Sequence, residues 1–418
     1  MKRTSIFGGG LHFGINTLTQ PFLALYAAEL GASTGSIGIM LTMKAVIPLF
    51  IAMPSGQLID RLGAAYMLRY GNILTIASLA LMVWSPTLFF LTLSQLLMGA
   101  GSMIVTSSLQ VIVSEGEKLE RERNISSYSA WCSAGTMLGP LIGGGIITLI
   151  ATLPINHEIN NALLGYRAAF LVALIFSVAF GIMFYWVSRH IPKSASFKDE
   201  VKAVIQPKEI ADSYLQGAYL LKHPGVQFGL VGTFLIHFIQ SIWVGFFPLF
   251  LDTLGYSAML ISILVSIRGL AGMLSRLFVG QMIKRWTYQA ILITAGCVAA
   301  ISLIALPILD WNIVTIALVS FVLGSAVGIN MPVSTMIMVD EDSMEGRGKV
   351  MGLRLLTNRS SQIAAPLIFG FFGEFIGLTW AFYTSGGLLF VSLLGFGLYR
   401  KNKVRFRPAP INNVEAKS

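Results

Sequence analysis

Gly56-Gln57-Leu58-Ile59-Asp60-Arg61 and Gly280-Gln281-Met282-Ile283-Lys284-Arg285 stand 224 residues apart in this chain and read as copies of one another. The same shift lays Tyr26, Leu30, Gly31 and Ser33 on Phe250, Leu254, Gly255 and Ser257, and Lys44 on Arg268. Farther along the offset grows to 226. There Glu115 meets Glu341, Arg121 meets Arg347, and Gly139-Pro140-Leu141-Ile142-Gly143-Gly144 meets Ala365-Pro366-Leu367-Ile368-Phe369-Gly370. The chain of 418 residues is a duplication of one long unit in the same order.

Between these markers the sequence is apolar. Hydrophobic residues make up 55% and charged residues 11%, less than half the charge of an ordinary water-soluble domain. Runs of about 20 residues recur, each long enough to cross a ~30 Å hydrocarbon layer as a helix. They fall near 6–28, 36–59, 66–86, 88–114, 124–151, 165–188, 226–251, 259–283, 288–309, 312–339, 348–373 and 377–399. Helices satisfy every backbone group internally, as lipid demands. The residue-by-residue alternation of a membrane barrel is absent. The expected fold is therefore an all-α membrane protein of twelve transmembrane helices in two pseudo-symmetric six-helix bundles. The expected organisation is a first bundle over 1–188, a cytoplasmic linker over 189–225, a second bundle over 226–400 and a cytoplasmic tail over 401–418. The linker is polar, with Lys193, Lys198, Asp199, Glu200, Lys202 and Lys208, and suits an amphipathic helix on the membrane surface.

The net charge of +10 is a matter of topology, not of nucleic acid. If both termini lie on one side, 23 of the 29 Lys and Arg residues fall on that side. The exceptions are Lys44, Arg167, Arg268, Arg276, Arg354 and Arg359. This bias places both termini in the cytoplasm and the protein in the cytoplasmic (inner) membrane as a multi-pass protein. Membrane lipid is an expected partner, through its anionic headgroups. The opening Met-Lys-Arg and apolar run is read as a span and not a leader, because it has a counterpart in the second half. Cys132 and Cys297 give no disulfide framework.

The loop after the second span reads Gly56-x-x-x-Asp60-Arg61-x-Gly63. It resembles the loop signature of the major facilitator superfamily, where the motif latches the two halves in one state and releases them in another. By that resemblance Gly56, Asp60, Arg61 and Gly63, with Gly280 and Arg285 in the second copy, form a conformational latch. The chain departs from the family in having Ala64 and Ala65 where basic residues are usual, and in having Lys284 and Thr287 in the second copy. The fifth span carries Gly135, Gly139, Pro140, Gly143 and Gly144. This is similar to the antiporter motif of the twelve-helix drug and metabolite exporters. Proline kinks such a helix and small residues let neighbours approach. In the fourth span, Gln95 and Met98 stand where proton-coupled members typically carry Arg and Gln.

Ionisable groups at membrane depth point to function. Lys44 and Arg268 lie at matched depth in the second and eighth spans. Arg354, Asn358 and Gln362 share one face of the eleventh span, with Arg359 beside it. Asn16 in the first span and Gln240 in the seventh are repeat equivalents, and His237 lies a turn away from Gln240. None of the 19 Asp and Glu residues falls near the middle of a span. Lys44, Arg268, Arg354, Arg359, Asn16, Gln240, His237, Asn358 and Gln362 are therefore the candidate substrate-binding residues, and the interior they line is cationic.

The expectation is a secondary active transporter working by alternating access, an exporter of an anionic metabolite, metallophore or amphiphile. Three alternatives stand beside it: a proton-coupled multidrug efflux pump, an uptake permease for organic anions, and a non-transporting receptor or scaffold. The expected partners are a small-molecule substrate and H+ as coupling ion, with no nucleic acid, and the expected state is a monomer. Without a phosphate loop or any metal-ligand or nucleophile constellation, no enzymatic activity, cofactor or metal is expected.

Overall fold

The computed structural model describes residues 1–153, 161–189, 221–340 and 347–401. Most of the 189–225 linker, Glu341 and nearly all of the tail lie outside them. The described chain is helical: α1 (Lys2–Glu29), α2 (Thr34–Leu62), α3 (Ala64–Trp84), α4 (Leu88–Ser114), α5 (Lys118–Ala151), α6 (Asn161–Ser188), α7 (Pro224–Thr253), α8 (Ala258–Arg276), the short α9 (Val279–Arg285), α10 (Tyr288–Ile308), α11 (Ile313–Asp340) and α12 (Arg347–Lys401). Ten of these are long and apolar enough to cross a membrane. Two further passes complete twelve. α12 turns back at Gly377 (φ 80°) and crosses twice, and α1, whose polar residues lower its hydropathy, packs among α4, α5 and α6.

The duplicated markers become duplicated corners. Gly31 and Gly255 both take positive φ, 81° and 80°, a region open to glycine at little cost. Ser33 and Ser257 then cap the next helix, each accepting a hydrogen bond from the backbone N–H three residues on at 3.4 Å. Tryptophans Trp84, Trp186, Trp286, Trp311 and Trp380 sit near helix ends, each more than half exposed, as in the interfacial belts of membrane proteins.

Two boundaries differ from expectation. The eighth span is not one helix to 283. Leu277 and Phe278 donate to the Leu274 and Ser275 carbonyls, three residues back instead of four, so the α-helical hydrogen bonding is interrupted before α9. Both residues are exposed and apolar, so neither hydropathy nor charge marks the break. At its start α5 runs six residues beyond the apolar run, to Lys118, and Glu120 there pairs with Lys2 at 3.0 Å.

The two halves meet at the end opposite the chain's start. At the mouth of that contact Glu374 accepts a hydrogen bond from the Gly35 N–H at 3.0 Å, a carboxylate on the N-terminus of α2. Deeper in, Gly38 lies against the Pro366 carbonyl, and Thr42 donates to the Ile363 carbonyl at 3.2 Å. On the other flank Gly144 of α5 lies against Ser262 of α8, and Ser266 donates to the Met137 carbonyl at 2.8 Å.

Candidate functional site

Lys44 and Arg268 each lie ten residues into their helix, about 15 Å from its start. Each is held there by the same device. A Cβ on Gly99 of α4 would overlap the Lys44 carbonyl, and a Cβ on Gly324 of α11 would overlap the Arg268 carbonyl. The backbones therefore touch directly, as small residues permit in helix packing without water. Neither cation has a carboxylate within ion-pair distance among the described residues, and the same is true of Arg354 and Arg359.

Lys44 borders a central cavity of about 240 Å3. Of the candidate substrate-binding residues, His237, Gln240 and Gln362 join it on the wall. Arg359 is tied to the cavity through Gln362: its Nη1 donates to Gln362 Oε1 at 2.9 Å, and Gln362 Nε2 donates to Asn358 Oδ1 at 2.6 Å. Arg359 is a charged neighbour of both Lys44 and His237. Arg354 lies farther toward the N-terminal end, donating to the Met331 carbonyl at 3.3 Å. The His237 ring donates from Nδ1 to the Thr233 carbonyl at 2.8 Å, which leaves Nε2 as its free position. Buried Gln240 Oε1 has no hydrogen-bond donor.

Asn16 does not line this cavity. Its amide donates to the His12 carbonyl at 3.0 Å and meets the His12 ring at 3.3 Å. In the second half the residue four on from His237 is Ser241, and its hydroxyl makes the matching bond to the His237 carbonyl at 2.7 Å. Gln240, only three residues on, is released to the cavity. Wall residues outside the candidate set include Thr19, Gln20, Met82, Gln95, Met98 and Ser241. Gln95 and Met98 were visible in the sequence as departures from the proton-coupled pattern; Met82 carried no signal.

Arg268 borders a different, smaller pocket of about 30 Å3, together with Pro140, Thr136, Thr17 and Trp243. Gln20 and Val244 line both spaces. The fifth-span glycines build this region. Gly135 and Gly139 lie against Gly10, Gly14 and Thr17 of α1, and Gly143 would bring a Cβ within 2.6 Å of the Leu18 carbonyl. Gly144 faces α8. The latch residues lie apart from both cavities. Gly56 and Gly280 face open space, Gly63 closes α2 with φ 88°, and Asp60, Arg61 and Arg285 are exposed.

The Major Facilitator Superfamily profile matches residues 5–353. The chain is 23% identical over 362 residues to the multi-drug resistance efflux pump PmrA homolog of Lactococcus lactis subsp. lactis (strain IL1403), covering 84% of this chain and 83% of that one. It is 28% identical over 167 residues to the staphylopine export protein of Staphylococcus aureus (strain Mu50 / ATCC 700699), covering 38% of this chain and 42% of that protein. In fold it resembles a bacterial homolog of the human lysosomal transporter Spinster, crystallised inward-facing and unoccupied, with TM-score 0.75 at 14% identity over 98% of both chains. The duplicated twelve-helix architecture and the matched profile together make this chain a multi-pass membrane transporter of the major facilitator superfamily, not an enzyme.

Proposed function

We propose that this transporter exports a small organic anion across the cytoplasmic membrane, with both termini in the cytoplasm. One observation carries the reading: the central cavity presents Lys44, backed by Arg359 through Gln362, and among the described residues no Asp or Glu stands on its wall. An unpaired cation in a low-dielectric space is costly, and a carboxylate or similar group on the cargo offsets that cost. Gln240, Gln362 and His237 supply neutral hydrogen-bonding groups for orientation. Leu23, Leu41, Met82, Met98 and Val244 supply an apolar side, which suits an amphiphilic anion, a metallophore or another metabolite.

Transport follows by alternating access, the halves rocking about this site. With cytoplasmic termini, the contacts of Glu374 with Gly35 and of Gly38 with Pro366 close the outer end, and the cavity belongs to the cytoplasm-facing state. The Asp60–Arg61 loop is then the latch that engages in the opposite state, in line with the open space around Gly56 and Gly280. The outward direction rests on the fifth-span motif and on the exporter names of the relatives. The second reading, a proton-coupled multidrug pump, draws on the name of the Lactococcus relative; in it His237 Nε2 is the group to carry the proton.

The test is a flux screen in proteoliposomes with imposed pH and charge gradients. Organic anions are expected to move and to discharge the gradient with the sign of a negative cargo or of anion–proton exchange. Cationic dyes carried at comparable rates, with anions excluded, would sink the reading.

A further inference from the structure

The pocket beside Arg268 is not a lobe of the central cavity. It is about an eighth of its size, and it shares only Gln20 and Val244 with it. Arg268 Nε is buried and has no acceptor. Trp243 is 1% exposed, stacked on Phe247 at 4.2 Å, and its Nε1 likewise has no acceptor. The hydroxyl protons on the wall are already committed: Thr17 donates to the Phe13 carbonyl at 2.9 Å and Thr136 to the Cys132 carbonyl at 2.8 Å. Among the described residues no carboxylate borders the space. Two buried N–H groups without acceptors, one of them on a permanent cation, are an unmet demand for negative charge.

We propose that Arg268 and Trp243 form a dedicated site for one small anionic group, the size of chloride or a single carboxylate, separate from the site at Lys44. The volume sets the size limit. About 30 Å3 is room for one small anion such as a halide or a carboxylate head, which suits it better than the bulkier sulfate or an aromatic acid. The group comes either from a free inorganic anion or from an acidic arm of the cargo that passes Gln20 from the central cavity. In the second case the assignment rests on the anion reading of that cavity; in the first it stands alone. Pro140 and Thr136 belong to the α5 segment that carries the glycine motif, so occupancy of this pocket bears on the contact between α5 and α8.

The experiment uses the full-length protein in nanodiscs with sodium chloride, sodium formate and sodium sulfate at equal ionic strength. Thermal unfolding and intrinsic tryptophan fluorescence are read together. Chloride or formate at 100 mM is expected to raise the midpoint by about 2 °C over sulfate. The same salts change the Trp243 fluorescence, defined as the difference between wild type and Trp243→Phe. Arg268→Lys keeps the thermal response, Arg268→Gln loses it, and Lys44→Gln retains it. Should Arg268→Gln not fold, Trp243→Phe is expected to weaken the thermal response instead. A stronger effect of chloride identifies a free halide, and a stronger effect of formate identifies a carboxylate arm. Equal responses to all three salts, or an unaltered response in both Arg268→Gln and Trp243→Phe, would overturn the proposal. The Lys44→Gln flux phenotype decides the central-cavity reading separately.

Discussion

Lys44 and Arg268 hold the same place in the two halves, and their surroundings have diverged. Each follows a Gly-x-Ser corner, each lies ten residues into its helix, and each has its carbonyl against a glycine of the neighbouring helix. Yet Lys44 borders the larger cavity, with Arg359 and His237 as charged or titratable neighbours, while Arg268 borders a small pocket that Trp243 also lines. The repeat fixes where a side chain stands in the membrane. The neighbours, which the two halves do not share, decide what that side chain meets. A symmetric scaffold thus carries an asymmetric pair of sites.

The comparison can be broken most severely at its common support. Gly99→Ala and Gly324→Ala each drive a methyl group into a backbone carbonyl, which cannot move as a side chain end can. Each is expected to cost about 3 kcal/mol, seen as lost folded yield or a midpoint lowered by several degrees. If only Gly99→Ala is damaging, the shared support is not real. Next in size is Lys44→Gln, which should cut anion flux at least tenfold, about 1.4 kcal/mol at the transport barrier, in a protein of unchanged stability. Glu374→Gln should weaken the outer contact, because a neutral amide oxygen is a poorer acceptor for the Gly35 N–H. Spin-label distances across the outer end would report a larger outward-open population; no change there would assign the closure to glycine packing alone. Smallest of all, Gly56→Ala and Gly280→Ala face open space and should alter stability by less than about 0.5 kcal/mol. Their effect, if the latch is real, appears in transport rate and not in the melting midpoint.

Much of this is legible in the sequence. Charge asymmetry, apolar runs of membrane length and a self-match at 224 residues give the six-plus-six architecture, because lipid imposes the same length and polarity on every pass. The depth of Lys44 and Arg268 followed from the same counting. What escaped depends on contacts between distant helices. The break at Leu277–Phe278 lies inside an apolar run, so nothing in its composition distinguishes it. The division of Lys44 and Arg268 between two spaces falls at Gln20 and Val244, which line both, and their placement depends on how α1 and α7 pack. The different fates of Asn16 and Gln240 follow from spacing to the preceding histidine, four residues in one half and three in the other. That spacing was present in the sequence, but alignment by offset alone pairs Asn16 with Gln240 and hides that Ser241 has taken over its bond.

The central claim is that the cavity at Lys44 takes negative charge. Its most direct test is current recorded on a solid-supported membrane from proteoliposomes of wild type, Lys44→Gln and Lys44→Arg, challenged in turn with organic anions and cationic dyes. The account predicts currents from anions alone, lost by at least tenfold in Lys44→Gln and largely kept in Lys44→Arg. Equal currents in all three proteins, or transport of the cations undiminished by loss of the lysine charge, would contradict it.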